Sequence, residues 1–125
     1  MKKRGDPDQP SSISMRIIDL EKGKPTVFQA LGQLNYELNV ARREGSEVVK
    51  LVHGYGSSGA GGDIRIAAQR KLVEMARDGQ IRSCIFGEDW SKSNEVTWSL
   101  LQARPELKQD KHLGRKNLGI TIVVL

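Results

Sequence analysis

The sequence predicts an α/β fold on a mainly parallel sheet of four strands, in the order β-α-β-α-β, an irregular insertion, then β. Three observations predict it. Short apolar runs alternate with longer stretches whose apolar residues recur at helical spacing, the pattern of β-α-β units with right-handed crossovers. Both long helical stretches end on a glycine, Gly45 and Gly79, suited to a left-handed helix stop. The chain, at 125 residues with 38% hydrophobic and 28% charged residues, has the size and composition of one globular domain with a real core.

The elements follow in order. Residues 1–12 are polar, with mixed charge and two prolines, and read as a flexible tail. The domain proper spans residues 13–125. Residues 13–20 (ISMRIIDL) form the first strand, which ends at Asp19, and residues 21–25 turn the chain. Thr26 and Gln29 have capping-box spacing, and Val27, Leu31, Leu34, Leu38 and Ala41 then make one apolar stripe. Arg42 and Arg43 suit the last turn of that helix. Residues 47–53 form the second strand, nearly continuous in apolar residues as a central strand should be, and end at His53.

A second helix is expected over residues 63–78. Ile64, Ala68, Leu72 and Met75 would be buried, and Arg65, Gln69, Arg70, Lys71 and Arg77 exposed. Residues 81–86 form a third strand. Residues 87–118 are less regular: a short helix over 94–103, capped by Ser93 or Asn94 and limited by Pro105, then a basic, mobile loop. Both tryptophans, Trp90 and Trp98, fall in this insertion, and Trp90 is a candidate for stacking on a base, with core burial the alternative for each. Residues 119–125 close the chain as a strand.

Between the second strand and second helix lie glycines at 54, 56, 59, 61 and 62. A glycine-rich turn running into a helix can gather free backbone N–H groups and the positive end of a helix dipole, which suits an anion. A dinucleotide fingerprint should follow the first strand and open its helix at once, which this loop does not. A Walker A loop needs Lys-Ser/Thr after its last glycine, and neither Gly59 nor Gly61 has it. A phosphate cradle without nucleotide-specific parts remains, formed by Gly54, Gly56, Ser57, Ser58, Gly59, Gly61, Gly62 and Arg65, and a nucleic-acid backbone suits it. In a parallel sheet the ends of the first two strands adjoin, so Asp19 and His53 are expected to converge beside this loop.

A net charge of +5 and a pI near 9.6 raise the expectation of a polyanionic partner. Lys108, Lys111, Arg115 and Lys116 form a candidate accessory basic surface. The single cysteine, Cys84, excludes an internal disulfide framework, and its apolar run points to a buried, inert thiol. No apolar run approaches the ~20 residues of a membrane span, and no signal-peptide pattern opens the chain, so the expected location is cytoplasmic.

The segment VKLVHGYGSSGAGGDIR, residues 49–65, resembles the second signature of the Smr (small MutS-related) domain family: an apolar strand, His-Gly-x-Gly, further glycines, then a helix opening in Ile/Leu-Arg. IIDL at 17–20 stands where that family has a strand ending Leu-Asp-x-His, PTVFQAL at 25–31 resembles the start of its first helix, and the closing strand resembles its Gly-x-Thr-x-Val-x-Leu. The resemblance implies a two-layer sandwich like the C-terminal domain of translation initiation factor three. It also implies DNA or RNA binding, and in some members nicking or RNA-cleaving endonuclease activity; RNA on the ribosome is one candidate ligand for such a binding module. It places candidate catalytic roles on Asp19 and His53.

In this chain Glu21 stands where the first motif has its histidine, and a carboxylate repels phosphate. Were cleavage to use Mg²⁺ or Mn²⁺, Glu21 and Asp63 would be the added carboxylates, although a turn residue and a helix cap describe them as well. His112, isolated in the basic loop, has no expected role. A non-catalytic protein- or ribosome-interaction domain using residues 87–118 is the alternative.

Overall fold

A computed structural model describes residues 15–55 and 61–125. The expected tail and the beginning of the first strand lie outside them. Four strands, β1 (Arg16–Asp19), β2 (Val48–Val52), β3 (Ser83–Phe86) and β4 (Ile120–Val124), form one sheet in the order β1-β2-β4-β3. The helices are α1 (Val27–Arg43), α2 (Gly61–Arg77), which begins two residues earlier than expected, and α3 (Glu95–Ala103). Short 3-10 turns occupy Gly87–Asp89 and Pro105–Gln109.

The sheet is mixed, not mainly parallel. β1 pairs with β2 in parallel, but β4 lies antiparallel to both β2 and β3. The three strands joined by helices do run in one direction, as crossover connections require. The last strand reverses and enters between β2 and β3, so only one neighbouring pair is parallel.

The first face of the sheet is covered by α1 and α2. The capping box forms: Gln29 N–H donates to Thr26 Oγ1 and Thr26 N–H to Gln29 Oε1. Such a cap is worth about 1 kcal/mol. Ala30, Leu34, Leu38 and Ala41 of α1 meet Ile64, Ala68, Leu72 and Met75 of α2 over Ile18, Val49, Leu51 and Val123 of the strands. Arg16 ties β1 to α1 through Glu37 and Glu44.

The opposite face is covered too, so the expected two-layer sandwich becomes three layers. Residues 87–118 fold over Val48, Ile85, Ile120 and Ile122 and contribute Trp90, Leu101 and Leu107 to a second core. Asn94 caps α3 by accepting from Thr97 N–H. Trp90 is fully buried, so it offers no face to a base. The expected mobile loop is instead anchored. Lys50, on β2 facing this core, is buried, and its Nζ lies 2.7 Å from Asp110 Oδ1 and 2.7 Å from His112 Nδ1. Asp110 Oδ2 accepts from Trp90 Nε1 at 3.0 Å and from the His112 N–H at 3.2 Å. Burial alone would raise the Asp110 carboxyl, but hydrogen bonds from Lys50 and Trp90, with the Lys50 charge, hold it below the ordinary carboxylate range. Cys84 is half-buried, and burial pushes its thiol up, as suits an unreactive core group.

This cluster yields a test. Asp110→Ala leaves a buried ammonium and the Trp90 N–H without their acceptor, and should cost about 3–5 kcal/mol in urea unfolding. The double change Lys50→Met with Asp110→Leu should cost far less, because no unpaired charge remains. A loss for Asp110→Ala no larger than for the exposed Lys111→Ala would show that the pair does not hold this layer.

Candidate functional site

The carboxyl edge of the sheet gathers five chain segments. β1 leaves it at Asp19, β2 at His53 and β3 at Gly87; α2 starts there, and the antiparallel β4 enters there through Gly119. The His53 and Gly54 N–H groups both donate to the Gly119 carbonyl, at 3.0 and 3.1 Å.

His53 continues the face of Val49 and Leu51, under α2, and its ring is fully buried. Nδ1 lies 2.6 Å from the Gly54 carbonyl and Nε2 2.8 Å from Thr121 Oγ1, and Gln69 Nε2 donates to the same Oγ1 at 3.1 Å. One proton arrangement satisfies all of them. Nδ1–H donates to Gly54, neutral Nε2 accepts from the Thr121 hydroxyl, and that oxygen accepts from Gln69; this tautomer is assigned from the network. Burial lowers the His53 pKa. The Gly54 hydrogen bond opposes that, the Arg65 charge adds to it, and Glu88 opposes it. The side chain is therefore a neutral strut with both nitrogens engaged.

The expected convergence of Asp19 and His53 does not form. Asp19 is in register with Val52, so the two side chains lie on opposite faces of the sheet. Asp19 instead accepts the Glu21 N–H at 2.8 Å and shapes the turn after β1. That turn lays the Glu21 carboxylate directly over Gly54. Gly54 has φ +72, which favours glycine, and a Cβ there would stand 2.7 Å from Glu21 Cδ, so a larger residue would also displace the Glu21 carboxylate.

Of the expected phosphate cradle, Gly54 has already given its N–H to Gly119. Gly56, Ser57, Ser58 and Gly59 lie outside the described residues. Gly61 and Gly62 open α2, with Asp63 in its first turn. Arg65 and Gln69 are not on the exposed face of α2 as expected. Gln69 is buried against Thr121, and Arg65 is half-buried, its Nε enclosed and without a hydrogen-bond partner among the described residues. Gln69, Thr121 and Glu88 were not expected at this site. Their signal is faint: Thr121 is the one polar residue in ITIVV, and Arg65 and Gln69 share the four-residue spacing of the neighbouring buried stripe.

Lys108, Lys111, Arg115 and Lys116 are exposed, and Lys108 Nζ stands 5.7 Å from the ring centre of half-exposed Trp98. Among the described residues no three His, Cys, Asp or Glu side chains are arranged to hold a metal ion, so Glu21 and Asp63 build no such centre with Asp19. Among the same residues no helix is long and apolar enough to cross a membrane.

These features define a class of small α/β domain: a four-stranded mixed sheet whose second strand is followed by His-Gly and, after a glycine-rich segment, by a helix. The structure is similar to the crystal structure of the Smr domain of Thermus thermophilus MutS2, with a TM-score of 0.55 and 23% sequence identity over 89% of this chain and 98% of that one. The chain thus has the fold of an Smr domain. No protein-family model matches the sequence, and no curated protein matches it.

The buried neutral histidine has a pH signature. Below the ordinary value of 6.5 the unfolded chain takes up a proton that the folded ring resists. Stability should therefore fall as pH drops from about 7 to 5. His112, lowered by burial and then by Lys50, acts in the same direction. Urea unfolding across that window should show a shallower pH slope for His53→Gln than for the parent, and shallower again with His112→Gln added. An unchanged slope in His53→Gln would contradict a neutral buried ring.

Proposed function

We propose that this domain binds the phosphodiester backbone of DNA or RNA at the carboxyl edge of its sheet. The observation that carries the reading is Arg65: a guanidinium in the opening turns of α2, its Nε enclosed and without a partner among the described residues, soon after the glycine-rich segment. Arginine beside a helix start suits phosphate, since the fork of N–H donors and the dipole act together. The basic charge, the Smr fold and the exposed Lys108, Lys111, Arg115 and Lys116 support the same ligand class. Residues 56–59 are the proposed source of further backbone donors.

Binding is favoured over cleavage by the state of His53. An acid/base at this position would have to release Thr121 or Gly54 to present a nitrogen to a phosphate. We assign His53 to holding the loop and Asp19 to shaping the neighbouring turn. Ribosomal RNA belongs to the same ligand class, and a protein-only partner is the competing reading.

Fluorescence anisotropy with labelled DNA and RNA oligonucleotides tests this. Affinity should fall steeply with salt, and Arg65→Gln should weaken binding and reduce the salt slope by about one. Glu21→Gln, which removes a carboxylate from beside Gly54, should tighten binding. Affinity flat with salt, or none at all, would overturn the proposal. Plasmid nicking and RNA cleavage, with and without Mg²⁺ or Mn²⁺, should both be absent. Activity that disappears in Asp19→Asn and His53→Ala would establish the endonuclease reading instead.

A further inference from the structure

The carboxyl edge carries exposed aromatic rings as well as charge. Tyr55 follows Gly54 directly and is 57% exposed, and its Cδ1 lies 3.3 Å from where a Cβ of Gly119 would stand. The ring thus comes close to Gly119 at its Cδ1 while more than half of the residue is open to solvent. Phe28 lies in the first turn of α1, which starts near the same edge because only the turn of residues 20–26 separates it from the end of β1, and it is 87% exposed. An aromatic ring left this open in a helix contributes little to the core, and its neighbours on the stripe, Val27 and Leu31, already pack inward. The turn between β1 and α1 presents Lys22 and Lys24, both exposed. Cations interleaved with solvent-facing rings at one edge are the elements of a stacking platform for unpaired bases. In a duplex the base faces are covered by their neighbours, and Tyr55 and Phe28 would find only sugar and phosphate.

The phosphate side of the edge is incomplete on its own. Gly54 has no free N–H, and the Glu21 carboxylate lies against it. A ligand held only through its backbone would meet this negative charge with few compensating donors. A ligand that also stacks has a second source of affinity that the carboxylate does not weaken. We infer that the domain selects single-stranded nucleic acid, with bases stacking on Tyr55 and Phe28 while Arg65, Lys22 and Lys24 meet the phosphates.

This inference rests on the nucleic-acid reading above, and its test separates the two. Anisotropy is measured with a labelled 12-nucleotide single strand, the duplex of the same sequence, and a single strand with abasic positions. Single strand should bind at least tenfold tighter than duplex. Tyr55→Leu and Phe28→Ala should each lose about fivefold or more on the single strand, in line with stacking on one base. Tyr55→Phe should keep the parent affinity, and neither loss should appear on the abasic strand. Both positions are exposed, and far-ultraviolet circular dichroism of the variants checks that each is folded. Equal, salt-sensitive affinity for strand and duplex, unmoved by either substitution, overturns the inference and leaves backbone binding standing. Binding to none of the three probes overturns both and favours a protein partner for these rings.

Discussion

The antiparallel entry of β4 between β2 and β3 is the constraint on which the other features of this domain depend. Its first residues lie beside the last of β2, so the Gly119 carbonyl can take two N–H groups and Thr121 can meet the His53 ring. That geometry sets the direction in which the chain leaves β2. With His53 pinned at both nitrogens, Gly54 is held at positive φ, and its carbonyl accepts from the ring that precedes it. The loop feeding α2 therefore starts from a fixed post. Each hydrogen bond in the Gln69–Thr121–His53–Gly54 chain is worth about 1 kcal/mol net. Interrupting the chain costs more, because a donor or acceptor is then left buried and unmet.

The same strand supports the second face. Ile120 and Ile122 are the floor on which Trp90, Leu101 and Leu107 rest, and Lys50 is in register with Ile122. A lysine inside an apolar core has to be paired, and Asp110 and His112 meet it from the irregular segment. The pair is weak evidence of net stability, since two charges were removed from water to form it. Its clearer effect is on register. In the observed placement one carboxylate, Asp110, meets both Nζ and the Trp90 indole, so sliding this layer over the sheet would separate Lys50 from its partner.

What could be read from the sequence follows from how local each signal is. The Thr26–Gln29 box, the stripes of α1 and α2, the cap at Asn94 and the glycine stops all act within a turn or two of chain, and they stand where the pattern put them. Strand direction is different. Periodicity reveals that residues 119–125 are a buried strand, but carries no sign, and the segment of 87–118 is long enough to return the chain to either edge. Once β4 reversed, the mainly parallel sheet had to give way. At the site, His53 and Gly54 were legible from the motif. Their partners were not, because Thr121 and Gln69 are short polar residues in helical or strand patterns that define a face without saying what faces it. Asp19 was placed at the correct strand end but on the wrong side of it, since one residue of register turns a side chain over. Lys50, alone in an apolar strand, was the visible mark of a buried pair, and the partner sixty residues away was not.

The charge pattern of the edge explains why its chemistry is not simply that of an anion trap. Glu21 is brought over Gly54 by the Asp19 turn, Asp63 lies in the first turn of α2, and Glu88 is near enough to act on His53. Against them stands Arg65, with its Nε enclosed. A carboxylate at a helix start offsets the dipole that would otherwise attract phosphate. The resident acids therefore oppose an anion at this edge, and the proposed backbone ligand would depend on Arg65 and on contacts beyond the helix start.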